Sequence, residues 1–192
     1  MLFLNRINEI EWRVEPDGEH GQYLKEIVSR GKARQMIVLG QNNGQDDEEN
    51  WLVFDRFVPV NKVASKLKVE VAFKLNINDK IESIAKIKDS PLVVFFPTKI
   101  DTRLGLLIQG PYDTIVSRSE IEENDWNKAL IKETAVLITK SLLYLKEMGL
   151  LSVTLLEALP IRIDDFPEDK LILSDLRRDS RGAYERGLAP CR

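Results

Sequence analysis

An α+β fold follows from three features of this sequence. The first 75 residues break into short apolar or alternating runs separated by turn residues, two continuous apolar runs follow after residue 90, and one long stretch near residue 130 carries helical periodicity. The runs LFLNRI, EIEWRV, RQMIVLG, WLVFDRFVPV and LKVEVAF predict strands of a mostly antiparallel sheet. In LKVEVAFKL, Leu67, Val69, Val71, Phe73 and Leu75 occupy every second position, which predicts a half-buried strand with Lys68, Glu70 and Lys74 on the outer face. The polar stretch GQNNGQDDEEN contains no apolar residue and predicts an exposed hairpin tip or a mobile loop.

The second half begins with PLVVFFP, a run suited to a strand buried on both faces, and continues with RLGLLIQGPY, a second central strand that ends at a Gly-Pro turn. The spacing then predicts a helix from about Asp125 to Met148. Trp126, Leu130, Thr134, Leu137, Ile138, Ser141, Leu142, Leu145 and Met148 share one face, Asn124 or Asp125 caps the start, and Gly149 terminates the end. A short helix over Val153 to Ala158 follows, capped by Ser152 and stopped by Pro160. This organisation divides the chain into a β-rich segment (1–80), an α+β domain with a small mixed sheet under the long helix (81–160), and a disordered or truncated tail (161–192) rich in arginine and glycine.

Composition narrows the function classes. With 43% hydrophobic residues among 192 the chain can bury a core, and 28 basic against 31 acidic residues leave a net charge of −3 with no global pull toward nucleic acid or an anionic membrane. No apolar run reaches the roughly 20 residues that span a bilayer. The start MLFLNRINEIEW turns charged too early for a secretory signal, so a cytoplasmic address is expected. One cysteine, Cys191, and one histidine, His20, at opposite ends leave no basis for a disulfide framework, a zinc site or a Cys/His dyad, so no metal site is expected. There is no Walker loop, no dinucleotide glycine fingerprint, no nucleophile elbow and no paired-histidine metal helix. Trp12 and Trp126 read as core anchors, His20 as a turn residue, and Asp164, Asp165, Glu168 and Asp169 as solvent-facing.

The block FFPTKIDTRLGLLIQGPYDTIVSRSEIEENDWNKALIKETAVLI, Phe95 to Ile138, resembles the sacsin family of GHKL ATPases. It has a buried strand ending in Phe-Pro, a threonine-containing turn, a strand ending in glycine before an aromatic, a serine-arginine step, and a helix opening on Trp-Asn. The step IVSRSEI also resembles the serine-arginine loop in the middle domain of the heat-shock protein 90 chaperones, and LFLNRINEIEWRV is similar to the segment that follows the ATP-binding domain in sacsin relatives. Where relatives often carry glycine in the turn before the second strand, this chain has Arg103.

The resemblance implies a transducer-like coupling segment that lacks the ATP-binding domain and is not active alone. ATP with magnesium would be held by a separate nucleotide-binding domain or its parent chain, and protein clients are the implied further partners. Arg118 is then the implied catalytic residue, reaching the γ-phosphate, with Lys99 and Arg103 as phosphate-side cations. A guanidinium suits that task because its fixed planar donors stay charged against the spread charge of a transferring phosphoryl group. Without the resemblance, Arg118 reads as a solvated residue paired with Glu120, Glu122 or Glu123. The alternative for the whole chain is a non-catalytic protein-interaction module with no nucleotide dependence.

Overall fold

The computed structural model of the chain describes residues 1–16, 18–59 and 67–159. It is an α+β fold in which nine strands form one sheet and two helices cover one of its faces. The strands are β1 (Glu9–Arg13), β2 (His20–Arg30), β3 (Ala33–Asn42), β4 (Gln45–Phe57), β5 (Lys68–Asn78), β6 (Ile81–Ala85), β7 (Pro91–Val94), β8 (Phe96–Asp101) and β9 (Leu107–Gln109). The helices are α1 (Asp125–Glu147) and α2 (Val153–Glu157). The sheet order is β1-β2-β3-β4-β5-β9-β7-β8, with β6 also paired to β5. Every pairing is antiparallel except β7 with β9, and these two parallel strands are connected through β8. A transducer-like domain implies a β-α-β connection, but no strand follows α1 among the described residues, so no such crossover forms there.

The boundary expected at residue 80 falls in the β5–β6 turn, where β5 bonds β4 on one edge and β6 and β9 on the other. One continuous sheet therefore crosses that position. The tail beyond residue 160, with Asp164, Asp165, Glu168 and Asp169, lies outside the described residues.

Two features of the first half correct the sequence reading. Residues 2–7 are not a strand: Leu2 and Phe3 are both buried against Met36, Trp51, Ala72 and Val93, and consecutive inward side chains are incompatible with strand alternation. The acidic stretch is neither a loop nor merely a tip. Asn43 (φ 49) and Gly44 (φ 81) make a two-residue turn of the kind that matches strand twist, and Gln45 to Asn50 continue β4 in register with β3, exposed as far as Glu48 and buried at Asn50. β2, whose mixed polar sequence carries no alternation signal, was also not anticipated.

The main core lies between the sheet and α1. Val69, Val71, Phe73 and Leu75 of β5 meet Leu130, Ile131, Ile138 and Leu145 of α1, and Phe54 stacks on Tyr144 with ring centroids 6.2 Å apart. Arg56 pairs with Glu133, tying β4 to α1. Burying four such aliphatic residues of α1 stabilises the layer by roughly 1.5–3 kcal/mol each relative to exposure. The caps follow the sequence: Asn124 accepts from the Asn127 amide at 2.8 Å, Ser152 accepts from the Leu155 amide at 3.2 Å, and Gly149 has φ 74.

The opposite face is also covered, which corrects the half-buried reading of β5. Glu70 is only 1% exposed. It bonds Arg34 and, at 2.7 Å, Lys68, while Arg34 also pairs with Asp55 at 3.1 Å. Close by, burial pulls the Lys25 ammonium below the usual lysine range, with Arg34 adding to that shift and Glu70 opposing it.

Candidate functional site

The continuous run Pro91–Pro97 does not form one buried strand. β7 ends at Val94, and Phe95 takes φ 61, a left-handed conformation that costs an L-residue about 1–2 kcal/mol. The chain reverses there into β8, and both Phe95 and Phe96 are exposed. The reversal has a specific clamp. Arg118 donates from Nη2 to the carbonyls of Val94 and Phe96, each at 2.9 Å, while its own carbonyl accepts from the Lys99 amide at 2.9 Å.

Arg118 itself has φ 55 and sits on the segment that joins β9 to α1. That segment closes on itself: Thr114 bridges Ile121, the Ile115 amide bonds the Glu120 carbonyl at 3.1 Å, and the Arg118 amide bonds the Ile115 carbonyl at 2.9 Å. At the open edge of β8 the Arg118 carbonyl takes the Lys99 amide, satisfying one donor of an otherwise unpaired sheet edge.

The segment is stapled to the first turns of α1 by the Trp-Asn pair. Asn127 is fully buried. Its Oδ1 accepts from the Asp113 amide at 2.9 Å, and its Nδ2 donates to the carbonyls of Asp113 and Glu122 at 2.8 Å each. Trp126 donates from Nε1 to the Pro111 carbonyl at 2.9 Å, and Asn124 donates to Asp113 Oδ2 at 3.0 Å. The Tyr112 hydroxyl lies 2.7 Å from Thr134 Oγ1 in the core, and burial raises its pKa above the usual tyrosine value. These bonds make the Arg118 loop and the start of α1 one mechanical piece.

Among the three sequence-predicted cations, the structure brings two together. Lys99 is exposed on β8 and bonded through its backbone to Arg118. Arg103 is exposed two residues past Asp101, the end of β8 away from the Phe95 turn. Arg103 has φ 52, and its amide donates to Asp101 Oδ1 at 2.8 Å. The position where the resemblance expects glycine is thus one with the backbone conformation that glycine favours.

The carboxylate pairing of Arg118 expected without the resemblance does not form. Among the described residues no ion pair joins Arg118 to Glu120, Glu122 or Glu123. Both of its side-chain hydrogen bonds use Nη2, leaving the Nε and Nη1 edge of the guanidinium with no hydrogen-bond partner among the described residues.

Trp126 packs against the main core, as expected of an anchor. Trp12 is half-buried on edge strand β1 and lies over Gly21, where an added Cβ would come within 2.5 Å of the indole Nε1. Asn127 was missed as a site residue, although a polar residue on the apolar face of α1 is the signal that could have found it. No group of His, Cys, Asp and Glu able to hold a metal occurs among the described residues, and no described helix is long and apolar enough to cross a membrane.

Comparison of the chain with family models, curated proteins and solved structures gives no match.

Proposed function

We propose that this chain is the coupling, transducer-like segment of a sacsin-like GHKL ATPase, acting in the cytoplasm on ATP and magnesium bound by a separate nucleotide-binding domain. The observation that carries the reading is the arrangement of Arg118. Its guanidinium is held at the sheet edge by two main-chain carbonyls rather than by a carboxylate, with a second cation, Lys99, on the adjoining strand.

A guanidinium neutralised by Glu120 or Glu122 would be a poor phosphate ligand. One clamped by carbonyl dipoles keeps its full charge and presents its remaining donors in a fixed plane. ATP would supply the phosphoryl group and its hydrolysis free energy. The contribution of this chain is charge stabilisation at the terminal phosphate and a rigid connection from that point through Asn127 to α1, so that a change at Arg118 moves the helix with it. Arg103, at the far end of β8, serves the β8–β9 turn in this reading rather than the phosphate.

The reading is tested by reconstitution. The chain alone should release no phosphate from ATP, and adding it to its ATP-binding domain should raise that domain's turnover. Turnover independent of the added chain would overturn the proposal. The alternative, an interaction module without nucleotide dependence, draws support from the exposed rings of Phe95 and Phe96, and it predicts partner binding unchanged by ATP.

A further inference from the structure

The second half of β2 is an open sheet edge. β1 covers β2 from His20 to Leu24, and the Lys25 amide donates to the Asn8 carbonyl at 2.7 Å; beyond it no strand among the described residues pairs with that side. Because the ladder alternates, Lys25, Ile27 and Ser29 turn their N–H and C=O groups away from β3, while Glu26, Val28 and Arg30 exchange bonds with Ile37, Gln35 and Ala33. Ile27 and Ser29 therefore offer their amides and carbonyls to solvent. Residues Glu26 to Ser29 are all exposed, with Ile27 and Val28 at 48% each on opposite faces. The devices that usually blunt such an edge are missing: the register with β3 runs unbroken to Arg30, there is no proline, and Lys25 turns its ammonium to the Leu4 carbonyl.

We propose that this edge pairs antiparallel with the same edge of a second copy of the chain, about a twofold axis at Val28. Setting Val28 opposite its mate puts Ile27 opposite Ser29 of the other copy, so every outward amide and carbonyl of these two residues finds a partner. Other registers waste those groups. One shift sets Ile27 against Gly31, where φ 63 takes the chain into the β2–β3 turn, and the opposite shift sets Ser29 against Lys25, whose amide already serves Asn8. Charge selects the same arrangement: each Glu26 lies opposite Arg30 of the other copy, and Leu24, beside Glu9, meets the turn that carries Lys32. Lys25, Arg30 and Lys32 are balanced by Glu9, Glu26 and Glu82, with Glu82 already paired to Arg30, so two such edges do not repel. A wholly acidic or wholly basic strand would match one end of this edge, whereas a reversed second copy matches both. β2 lies toward the end of the sheet order away from β8, so the contact is separate from Arg118 and stands with or without the coupling role.

The test is sedimentation of the full chain from low to high micromolar concentration. The ladder is short, so association should be reversible and grow with concentration. Ser29→Pro removes an outward amide and spares the bonds to β3, at the kind of edge position that accepts proline. Val28→Lys sets two ammonium groups face to face. Each should weaken association by about tenfold or more, with urea midpoints close to that of the unaltered chain. The register is read by oxidation with diamide, which takes up the two thiol hydrogens, in a Cys191→Ser background that removes the sole native cysteine. Val28 and its mate form a non-hydrogen-bonded pair with Cα atoms about 4.5 Å apart, within disulfide reach, so Val28→Cys should give a covalent dimer. Glu26→Cys puts its thiols about 13 Å apart along the strands and should stay unlinked.

A monomer at every concentration, with no Val28→Cys cross-link, would overturn the proposal and leave the edge to an extended segment of another protein. A dimer that Ser29→Pro and Val28→Lys both leave intact would overturn it as well, because the contact would then lie elsewhere. Should either variant unfold, the cysteine pair decides: equal cross-linking of Val28→Cys and Glu26→Cys refutes the register. None of these results bears on the coupling role, which is read by ATP turnover.

Discussion

Replacing Asn127 by alanine isolates the staple that holds the Arg118 loop to α1. The side chain is fully buried and makes three hydrogen bonds, accepting from the Asp113 amide and donating to the carbonyls of Asp113 and Glu122. At about 1 kcal/mol net for each neutral bond, the loss is about 3 kcal/mol. Two effects reduce it. Asp113 and Glu122 are otherwise exposed, so water can reach part of the freed backbone, and alanine is a better helix former by a few tenths of a kcal/mol.

The expected net destabilisation of Asn127→Ala is therefore about 2–3 kcal/mol, read as a lower urea midpoint at unchanged slope. Amides of residues 113–122 should exchange faster than in the unaltered chain, while those of β4 and β5 fall only with global stability. Asn127→Asp should be worse than alanine. It puts a second carboxylate oxygen in place of Nδ2, against two carbonyls that need a donor. A loss below about 1 kcal/mol, with protection of the loop retained, would refute the idea that this side chain is what fastens the loop.

Other perturbations follow from the same structure. Glu70→Ala leaves Arg34 and Lys68 without their shared buried acceptor and should cost about 2–4 kcal/mol in denaturant unfolding, less than a fully buried pair because Arg34 is partly exposed. Tyr112, with its pKa raised by burial, favours the neutral phenol in the folded state. Its contribution to stability is complete below about pH 10 and is lost as pH rises toward the folded value, so one of the four tyrosines should ionise at 295 nm only as the chain unfolds. Tyr112→Phe should remove that late component. Phe95→Gly relieves a left-handed phenylalanine and should raise stability by about 0.5–1 kcal/mol in the same urea assay.

Helix α1 was readable because each signal was local: a 3.6-residue apolar stripe, an asparagine cap and a terminating glycine. β5 was half readable. Alternation gave one buried face correctly, but on the other Glu70 is buried with Arg34 and Lys68 as partners, and Ala72 under the distant Leu2 and Phe3, which no local pattern announces. The Phe95–Phe96 exposure ran against hydrophobicity itself, since an unbroken apolar run reads as core until the turn at Phe95 is seen. The acidic half of β4 lacks strand-favouring residues and is carried as a strand by its register with β3 across the Asn43–Gly44 turn. At the site, Arg118 and Lys99 were legible as residues, but not the clamp of Arg118 on the β7–β8 turn, because that contact spans 24 positions between Val94 and Arg118.

The coupling role is tested most directly by single-turnover ATP hydrolysis in the reconstituted pair of chain and ATP-binding domain. Arg118→Ala should lower the rate by about a hundredfold or more, with binding of the two proteins changed far less and with Arg118→Lys recovering only part of the loss. An unchanged hydrolysis rate in Arg118→Ala, with the chain folded and bound, would contradict the account.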